Sequence, residues 1–461
     1  MLDRVSSYVS FLAQNSYLSL KGAAVNSIKY CKKFYNLLNE LEKTDKYSFA
    51  ELQNLQNEKL RRLVTHCYEF VPYYRRVFQE LKLTPSDIKT KEDLLKLPLM
   101  DKNVLRQNYQ DFIATNVNRR HLRDGWTTGT TGNPINALRD NHSIIFENAM
   151  KWRHRRKVGV DITDRCIAVW GTIWDDQIVP TNLKRPPFWR YNLADRQLLI
   201  SYYHMSVLTL PLFMKEIERF KPQYIEGFPS SILILAKFLK ARNQTYPLKA
   251  VFTSSENLYE IHRKEIEETF ATKVYDLYGQ SERVCVATET PQNRNLEVNM
   301  EYGVLELIHQ NKPQIEGASG SIVGTGLNNY AMPLLRYETN DLAVVQEAAS
   351  TGFNTPIIER LMGRESDSIK TSDGRIIPGN GIMSAFHGLK YVQESQIIQE
   401  DLEHLIIKVK LVNDEEGFNS AELIKNLKTY VGSAMNIEIK IQKDIFGSSQ
   451  RKHRWVVSEI E

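Results

Sequence analysis

Cysteine is scarce in this chain. The 461 residues include four, at Cys31, Cys67, Cys166 and Cys285, and no two of them stand at the spacing of a zinc site or a redox pair. Scattered thiols are typical of a reducing compartment and argue against a structural metal centre. We therefore predict a cytoplasmic protein.

Long apolar runs are also missing. No stretch approaches the ~20 apolar residues that a membrane-spanning helix needs, and the first 22 residues have no sustained apolar core of the secretory type. We expect no membrane span. The segment "KYCKKFYNLL" (29–38) mixes aromatics with lysine, which leaves loose contact with a membrane surface open, although an amphipathic helix packed on the protein is the simpler interpretation.

A strong charge imbalance is absent as well. The formal net charge is +5, and 25% of the residues are charged, so the chain lacks the dense basic strip of a nucleic-acid-binding protein. The densest basic stretch, "RHRRK" (153–157), predicts a solvated helix end. With 42% hydrophobic residues the chain is of the ordinary globular type, and its length predicts two or three domains.

Periodicity divides the chain into three regions. Residues 1–95 predict a helical N-terminal region that forms part of a large domain, with Pro72 ending one helix. Residues 96–362 alternate apolar runs with amphipathic helices. Residues 363–461 predict a small α+β unit, because strand-like and helical segments follow a polar, glycine-punctuated stretch, "ERLMGRESDSIKTSDGR" (359–375).

The middle region reads as an α/β fold. The run "IAVWG" (167–171) predicts a buried strand, and "KAVFTSSE" (249–256), "YEIHRKEIEETF" (259–270) and "KVYDLYGQSE" (273–282) predict strand, helix and strand. Polar residues follow both strands directly. Because parallel sheets bind ligands at the carboxyl ends of their strands, "TSSE" and "YGQSE" are candidate site segments.

A threonine- and glycine-rich loop, "WTTGTTGNP" (126–134), stands out. Its hydroxyls and backbone amides suit a phosphate group, and glycine lets a ligand approach the backbone. The common ATPase loop requires a lysine after the second glycine, whereas Asn133 and Pro134 follow here. Taken alone, the loop is either a phosphate cradle or a plain turn.

The order of five motifs is more specific than any one of them. "TTGTTGNP" (127–134), "YGQSE" (278–282), "YETND" (337–341), "GRESDSIK" (363–370) and the basic stretch "SSQRKHRWVV" (448–457) resemble the signature motifs of the adenylate-forming enzymes, which include acyl-CoA synthetases, peptide-synthetase adenylation domains and luciferases. The lead-in "KLRRLVTHCYEFVPYYRRVF", "EGFPSS" and "DGRIIPG" resemble the phenylacetate–CoA ligase and CapK-like branch. The resemblance spans about residues 50–457.

This resemblance implies a large adenylation domain of mixed sheets flanked by helices, with a small mobile C-terminal α+β domain. It implies an AMP-forming ligase that uses ATP and Mg²⁺ to convert a carboxylic acid into its acyl-adenylate. The acyl group then passes to CoA, or to an amine or sugar in surface-polysaccharide biosynthesis. "TSDGRIIPG" and "VQESQIIQ" favour the CapK-like side.

The same resemblance implies roles for individual residues. The resemblance assigns phosphate binding to the Thr/Gly loop, at Thr127, Thr128, Gly129, Thr130, Thr131 and Gly132. It also implies a catalytic role for Thr128. The residues expected to bind the adenine and the α-phosphate are Ser254, Ser255, Glu256, Asp276, Tyr278, Gly279, Gln280 and Ser281. Glu282 is the implied Mg²⁺ ligand, Asp341 binds the ribose hydroxyls, and Arg364 assists there. This chain departs from the family pattern at Ser281, at Asn340, where glycine is usual, and at Arg451.

Lys452 is the implied catalytic cation, carried by the C-terminal unit, with Arg451 and Lys443 as weaker alternatives. Ser366 and Asp367 are the hinge candidates. An acyl pocket is predicted around Trp170, Trp174, His204 and Phe228, although core packing explains these residues equally well. Two other functions stay open: a nucleotide-binding protein that has lost catalysis, and an acyl or sugar transferase that does not use ATP.

Overall fold

The structure is a computed structural model of the 461-residue chain. The Thr/Gly loop, the hinge stretch and the segment that carries Lys452 lie outside the residues it describes. Those residues are 2–126, 135–170, 187–201, 204–206, 208–256, 258, 260–309, 312–313, 317, 319–361, 368–373, 376–378, 382–386, 389, 391–411, 418–443, 445, 456–458 and 460.

The N-terminal region is helical, as its periodicity predicts. It contains α1 (Leu2–Lys29), α2 (Lys32–Thr44), α3 (Phe49–Phe70) and α4 (Pro72–Glu80). A capping box formed by Ser48 and Glu51 starts α3, and Pro72 stands at the first position of α4, where its missing amide is not needed. The predicted apolar face of α3 is fully buried at Leu60, Leu63, Val64 and Cys67.

Seven further α-helices follow in the described ranges. They are α5 (Lys102–Gln107), α6 (Asn141–Arg156), α7 (Leu210–Phe220), α8 (Pro229–Lys240), α9 (Glu260–Phe270), α10 (Ala348–Thr351) and α11 (Ser420–Val431). Short 3₁₀ turns occur at Pro85–Asp87, Glu92–Lys96, Tyr109–Phe112, Arg119–His121 and Met383–Phe386. None of the helices in these ranges combines the length and the apolar character that crossing a lipid bilayer requires.

A 13-stranded sheet forms the centre of the large region, in the order β10-β9-β11-β12-β13-β8-β7-β6-β5-β4-β1-β3-β2. Its strands are β1 (Cys166–Trp170), β2 (Trp189–Asn192), β3 (Gln197–Ser201), β4 (Tyr224–Gly227), β5 (Ala250–Ser254), β6 (Val274–Gly279), β7 (Val286–Thr288), β8 (Leu296–Val298), β9 (Gly303–His309), β10 (Lys312–Pro313), β11 (Ser319–Gly326), β12 (Tyr337–Gln346) and β13 (Ile357–Leu361).

The sheet is mixed. Strands β3, β1, β4, β5 and β6 run parallel, and the strands from β6 through β7, β8, β13, β12 and β11 to β9 pair antiparallel. Parallel strands need helical crossovers, which α7, α8 and α9 supply between consecutive strands. The α/β fold with a mixed sheet is thereby confirmed.

Strand β1 is buried on both faces, which explains its unbroken apolar sequence. Ile167 and Val169 pack in the cluster that includes residues of α7, α8 and α9. Cys166 and Ala168, pointing the other way, pack in the cluster that includes residues of α2 and α6. The sheet therefore has a helical layer on each side.

The C-terminal part contains a smaller α+β unit, as its alternation predicts. Its four-stranded sheet has the order β18-β17-β16-β19, formed by β16 (Val392–Gln399), β17 (His404–Leu411), β18 (Asn436–Ile441) and β19 (Val456–Ser458). A separate two-stranded pair joins β14 (Ser368–Lys370) to β15 (Ile376–Pro378). The boundaries 1–95, 96–362 and 363–461 stay predictions.

The expectation for "RHRRK" was partly wrong. The stretch does lie at the end of α6, but Arg153 and His154 are buried there, 5% and 4% exposed. Arg153 pairs with Glu301 at 2.6 Å, and Arg155 pairs with Glu226. Composition alone cannot show that carboxylates far along the chain meet these arginines and make their burial tolerable.

Candidate active site

The carboxyl ends of the parallel strands meet along one edge of the large sheet. Strand β1 ends at Trp170, β4 at Gly227, β5 at Ser254 and β6 at Gly279. The predicted segments "TSSE" and "YGQSE" therefore lie side by side at the edge where such sheets bind ligands. Gly227 is required there, because a Cβ would lie 2.4 Å from the carbonyl oxygen of Val169.

Two predicted residues are joined directly at this edge. Tyr278, the next-to-last residue of β6, donates its hydroxyl hydrogen to Asp341 Oδ2 at 2.9 Å. The two residues are 63 positions apart in the sequence. Burial raises the pKa of Tyr278 well above its usual value, and the negative charge of Asp341 adds to that shift. The phenol is thus a neutral donor that holds the carboxylate in place.

A second tyrosine–carboxylate pair lies next to the first. Tyr337 donates its hydroxyl hydrogen to Glu282 Oε1 at 2.9 Å. Tyr337 and Asp341 belong to one strand, β12, and Tyr278 and Glu282 belong to one segment, β6 with the turn that follows it. The motifs "YGQSE" and "YETND" are therefore linked by two hydrogen bonds, each of which holds one carboxylate.

An irregularity in β12 sets the position of Asp341. The pairing of β11 with β12 shifts register between Ser321 and Val323, and such bulges re-aim the residues beside them. Inside the irregularity the Thr339 hydroxyl donates to Ile322 O at 2.9 Å, and it accepts the Asp341 amide at 3.2 Å. Thr339 therefore anchors the backbone on which the Asp341 carboxylate is carried.

The departure at Asn340 has a conformational explanation. Asn340 has φ of 61°, in the left-handed region that glycine occupies readily and that asparagine tolerates better than most residues. Its side chain is exposed. Asparagine can thus replace the usual glycine without changing the path of the chain into Asp341.

Asp276 lies on the same face of β6 as Tyr278 and is 8% exposed. Its Oδ1 accepts a hydrogen bond from the Thr253 hydroxyl at 2.6 Å. Burial, with a smaller contribution from the charge of Glu289, raises the pKa of Asp276 to about 7. The hydrogen bond to Thr253 links β5 to β6. A role of Asp276 in cofactor binding stays a prediction.

The turn after β6 carries the remaining predicted residues of "YGQSE". Gln280 closes this turn, since its Oε1 accepts the Cys285 amide at 3.3 Å. Gly279 and Ser281 lie on either side of Gln280, and Arg139 Nη2 donates to the carbonyl oxygen of Ser281 at 2.6 Å. The turn is therefore held from within and from a distant segment.

The turn after β5 brings "SSE" against the start of α8. The hydroxyls of Ser254 and Ser255 lie 3.4 Å apart, and Glu256 Oε2 accepts the backbone amide of Ser230 at 3.2 Å. Burial raises the pKa of Glu256 to about 7. The carboxyl group therefore connects this turn to the neighbouring strand–helix connection.

Three of the four residues predicted to form the acyl pocket lie within the described ranges. The rings of Trp170 and Phe228 meet edge to face, with centroids 5.2 Å apart. His204 is 2% exposed and stacks on Phe188 at 5.2 Å, which is the packing expected of a core histidine. The substrate role of these residues stays a prediction, and Trp174 lies outside the described residues.

Two residues of the site were missed by sequence reasoning. Tyr337 heads the "YETND" motif, and that position is the signal that would have singled it out. Arg139 belongs to no motif, so only the fold reveals its contact with Ser281.

Several predicted residues lie outside the described ranges, and their roles stay predictions. They are Thr127, Thr128, Gly129, Thr130, Thr131 and Gly132 of the loop, Arg364, the hinge residues Ser366 and Asp367, and Lys452 with its neighbour Arg451.

Comparison with known proteins finds one matching family and several relatives that span most of the chain. The family described as the CapK C-terminal domain matches residues 369–459. Over the full length of both chains, this protein is 26% identical to Protein CapK of Staphylococcus aureus. It is 27% identical to the phenylacetate-coenzyme A ligase of Thermus thermophilus, over 69% of this chain and 72% of that one.

Solved structures confirm the fold. A crystal structure of 2-hydroxyisobutyryl-CoA ligase with 2-HIB-AMP and CoA superposes with a TM-score of 0.57 at 18% identity, over 89% of this chain and 90% of that one. The same ligase in its postadenylation state gives a TM-score of 0.55, over 91% and 92% of the two chains. The predicted fold is therefore shared with this CoA ligase.

Proposed function

We infer that the chain belongs to the phenylacetate–CoA ligase and CapK branch of the AMP-forming, adenylate-forming ligases, and from this premise we propose that it activates a carboxylic acid with ATP. The product of the first step is an acyl-adenylate, and pyrophosphate is released. In the second step an acceptor takes the acyl group and AMP leaves.

One observation carries this proposal: at the carboxyl edge of the sheet, Tyr278 holds Asp341 and Tyr337 holds Glu282, across the same two segments. A carboxylate held by a neutral phenol suits the paired hydroxyls of a ribose, because it accepts hydrogen bonds. The second carboxylate, Glu282, suits a hard cation such as Mg²⁺. A nucleotide with a metal-bound phosphate chain needs both groups at once.

The residues fit a magnesium ion. Mg²⁺ is usually held by one or two carboxylates and by phosphate oxygens of the substrate, and Glu282 supplies one such carboxylate. No group of three or more His, Cys, Asp or Glu suited to a metal occurs among the residues that the structure describes. The ion would neutralise phosphate charge, and Tyr337 would keep Glu282 oriented toward it.

Activation joins two anions, the substrate carboxylate and the α-phosphate. The protein must therefore neutralise charge and hold the reactants in line. In this proposal the Thr/Gly loop (127–132) binds the outer phosphates, and the Ser281 hydroxyl binds near the α-phosphate. Tyr278 stacks on the adenine, with Ser254, Ser255 and Glu256 lining it. Arg364 assists Asp341 at the ribose.

Lys452 supplies the positive charge between the carboxylate and the α-phosphate. It belongs to the small C-terminal unit, which turns about Ser366 and Asp367 between the two half-reactions. Lys452 would then be present for adenylation and withdrawn for transfer. Trp170, Trp174, His204 and Phe228 would line the acyl group.

For the acceptor we favour two classes. CoA is supported by the ligases among the relatives, and an amine or sugar of surface-polysaccharide biosynthesis is supported by the full-length match to Protein CapK. The full-length CapK match supports our further proposal that the protein acts in a cell-envelope polysaccharide process in the cytoplasm.

The test is pyrophosphate release from Mg²⁺-ATP over a panel of aryl, amino, hydroxy and uronic acids. We expect release with one acid class, and separate addition of CoA and of amines then identifies the acceptor. No release with any acid, together with retained ATP binding, would instead support a nucleotide-binding protein without catalysis. Acyl or sugar transfer without ATP would refute the ligase proposal.

A further inference from the structure

The outward face of helix α1 is apolar, the reverse of an ordinary surface helix. The side chains exposed on this face carry no charge, and they recur at helical spacing: Ala13, Ser16, Tyr17, Leu20, Ala24 and Ser27. Tyr17 is 47% exposed and Leu20 is 72% exposed. Because a helix packed on a globular protein usually turns its polar residues to the solvent, this pair of large apolar side chains indicates a binding surface.

Polar residues of α1, beside the buried Leu18, face the protein instead. Strand β2 lies at the end of the large sheet, and the backbone amides of an edge strand need acceptors. Asn15 Oδ1 accepts the Tyr191 amide at 3.0 Å. Ser19 Oγ accepts the Leu193 amide, just beyond β2, at 3.1 Å. These hydrogen bonds fix the rotation of the helix about its own axis, so its apolar side is held outward.

Acidic residues are missing from the sequence segment that contains most of α1. Residues 4–39 include five basic residues and no aspartate or glutamate, whereas the whole chain has 55 acidic residues among 461. Lys21 borders the apolar face and is exposed, as are Lys32 and Lys33 at the start of α2. Lys21 Nζ lies 5.6 Å from the centroid of the Tyr17 ring. A cation beside an exposed aromatic ring suits the boundary between lipid headgroups and acyl chains.

We propose that α1 binds an anionic lipid surface. Tyr17 and Leu20 enter the headgroup boundary, and Lys21, with the two lysines that begin α2, is attracted to the lipid phosphates. A second copy of the chain is disfavoured as the partner, because a symmetric contact would place this basic segment against itself. The inference does not depend on the proposed ligase activity, and it adds an interaction surface to it.

The experiment is sedimentation of the full chain with vesicles of phosphatidylcholine, with and without phosphatidylglycerol, at a fixed salt concentration. We expect the wild type to bind the anionic vesicles more tightly than the neutral ones. Leu20→Glu should weaken that binding about tenfold or more, because it removes apolar area and adds a repelled charge. Replacing Lys21, Lys32 and Lys33 together by glutamine should lower the affinity about fivefold for each lysine and remove the preference for phosphatidylglycerol.

The matched control is Leu81→Glu, at a leucine that is also exposed but lies at the end of α4. It should bind vesicles as the wild type does. Leu20→Glu should keep the melting temperature and the rate of pyrophosphate release of the wild type, which separates this inference from the proposed function. Equal vesicle binding by Leu20→Glu and the wild type, or no preference of the wild type for anionic vesicles, would overturn the inference. A wild-type dimer in light scattering that Leu20→Glu dissociates, without vesicle binding, would overturn it too.

Discussion

At the scale of single residues, the two tyrosine–carboxylate pairs are the basis of the proposed nucleotide and metal binding. Each tyrosine fixes an acceptor whose other lone pairs can serve a ligand. The pairs share their backbone segments, yet they have separate tasks: Tyr278 supports the carboxylate assigned to ribose, and Tyr337 supports the one assigned to the metal ion. Removing one hydroxyl should therefore affect one ligand group and spare the other.

Tyr278→Phe tests this separation, because it keeps the ring and removes only the donor to Asp341. We expect the KM for ATP to rise about two- to tenfold, as for one lost hydrogen bond, and the preference for ATP over 2′-deoxy-ATP to shrink. Steady-state pyrophosphate release measures both. Tyr337→Phe is the matched variant and should change the Mg²⁺ dependence. If both variants show the same profile, the division of tasks is wrong.

Asp276 gives a prediction for stability against pH. Its pKa is raised to about 7 in the folded protein, above the ordinary value of about 3.9 expected in the unfolded chain. Between these values the folded state holds the proton more tightly, so the free energy of unfolding falls as pH rises. Asp276→Asn removes the titration and should reduce the loss of stability between about pH 4 and pH 8.

Urea unfolding across that pH range is the measurement. Asp111→Asn, at an exposed position, is the control and should leave the pH dependence as it is in the wild type. Parallel curves for the wild type and Asp276→Asn would contradict the raised pKa of the buried Asp276 carboxyl group.

At the scale of elements, the irregularity in β12 is what brings Asp341 to Tyr278. A regular strand would continue the alternation through Thr339 and Asn340 and would aim the carboxylate elsewhere. The left-handed backbone at Asn340 is therefore part of the site's construction, even though its own side chain is exposed.

Substitution at Asn340 should show this dependence on backbone conformation. Asn340→Gly should be tolerated, whereas Asn340→Val should destabilise the protein by about 1–2 kcal/mol, because a β-branched residue is strained at positive φ. Asn340→Val should also raise the KM for ATP by moving Asp341. Chemical unfolding and steady-state kinetics test the pair, and equal behaviour of the two variants would argue against a conformational role.

At the scale of the whole molecule, the proposed reaction depends on a residue in the small C-terminal unit. Lys452→Ala should lower adenylation about 100-fold or more, the order of effect seen when one charge-stabilising group is removed, with ATP binding largely kept. Pyrophosphate release and calorimetry separate the two quantities. Lys443→Ala and Arg451→Ala are the controls, and a comparable loss in either one, with Lys452→Ala active, would reassign the catalytic cation.

Much of this site was predictable from local patterns. Strands ending in "TSSE" and "YGQSE" follow from apolar runs interrupted by polar residues, and the helices follow from apolar spacing and from caps such as Ser48. The solvation of "RHRRK" was mispredicted, because the burial of Arg153 depends on Glu301, 148 residues away. Arg139 went unnoticed for the same reason: its contact with Ser281 spans 142 residues.

The sequence by itself determined the α/β class, the order of the elements and the motifs of the lineage, because these depend on near neighbours and on the period of apolar residues. Only the tertiary structure decided which carboxylate each tyrosine holds, why Asn340 can stand where glycine is usual, and that Arg139 contacts the turn that carries Ser281. Those facts depend on strand register and on contacts between distant segments, and no local pattern contains them.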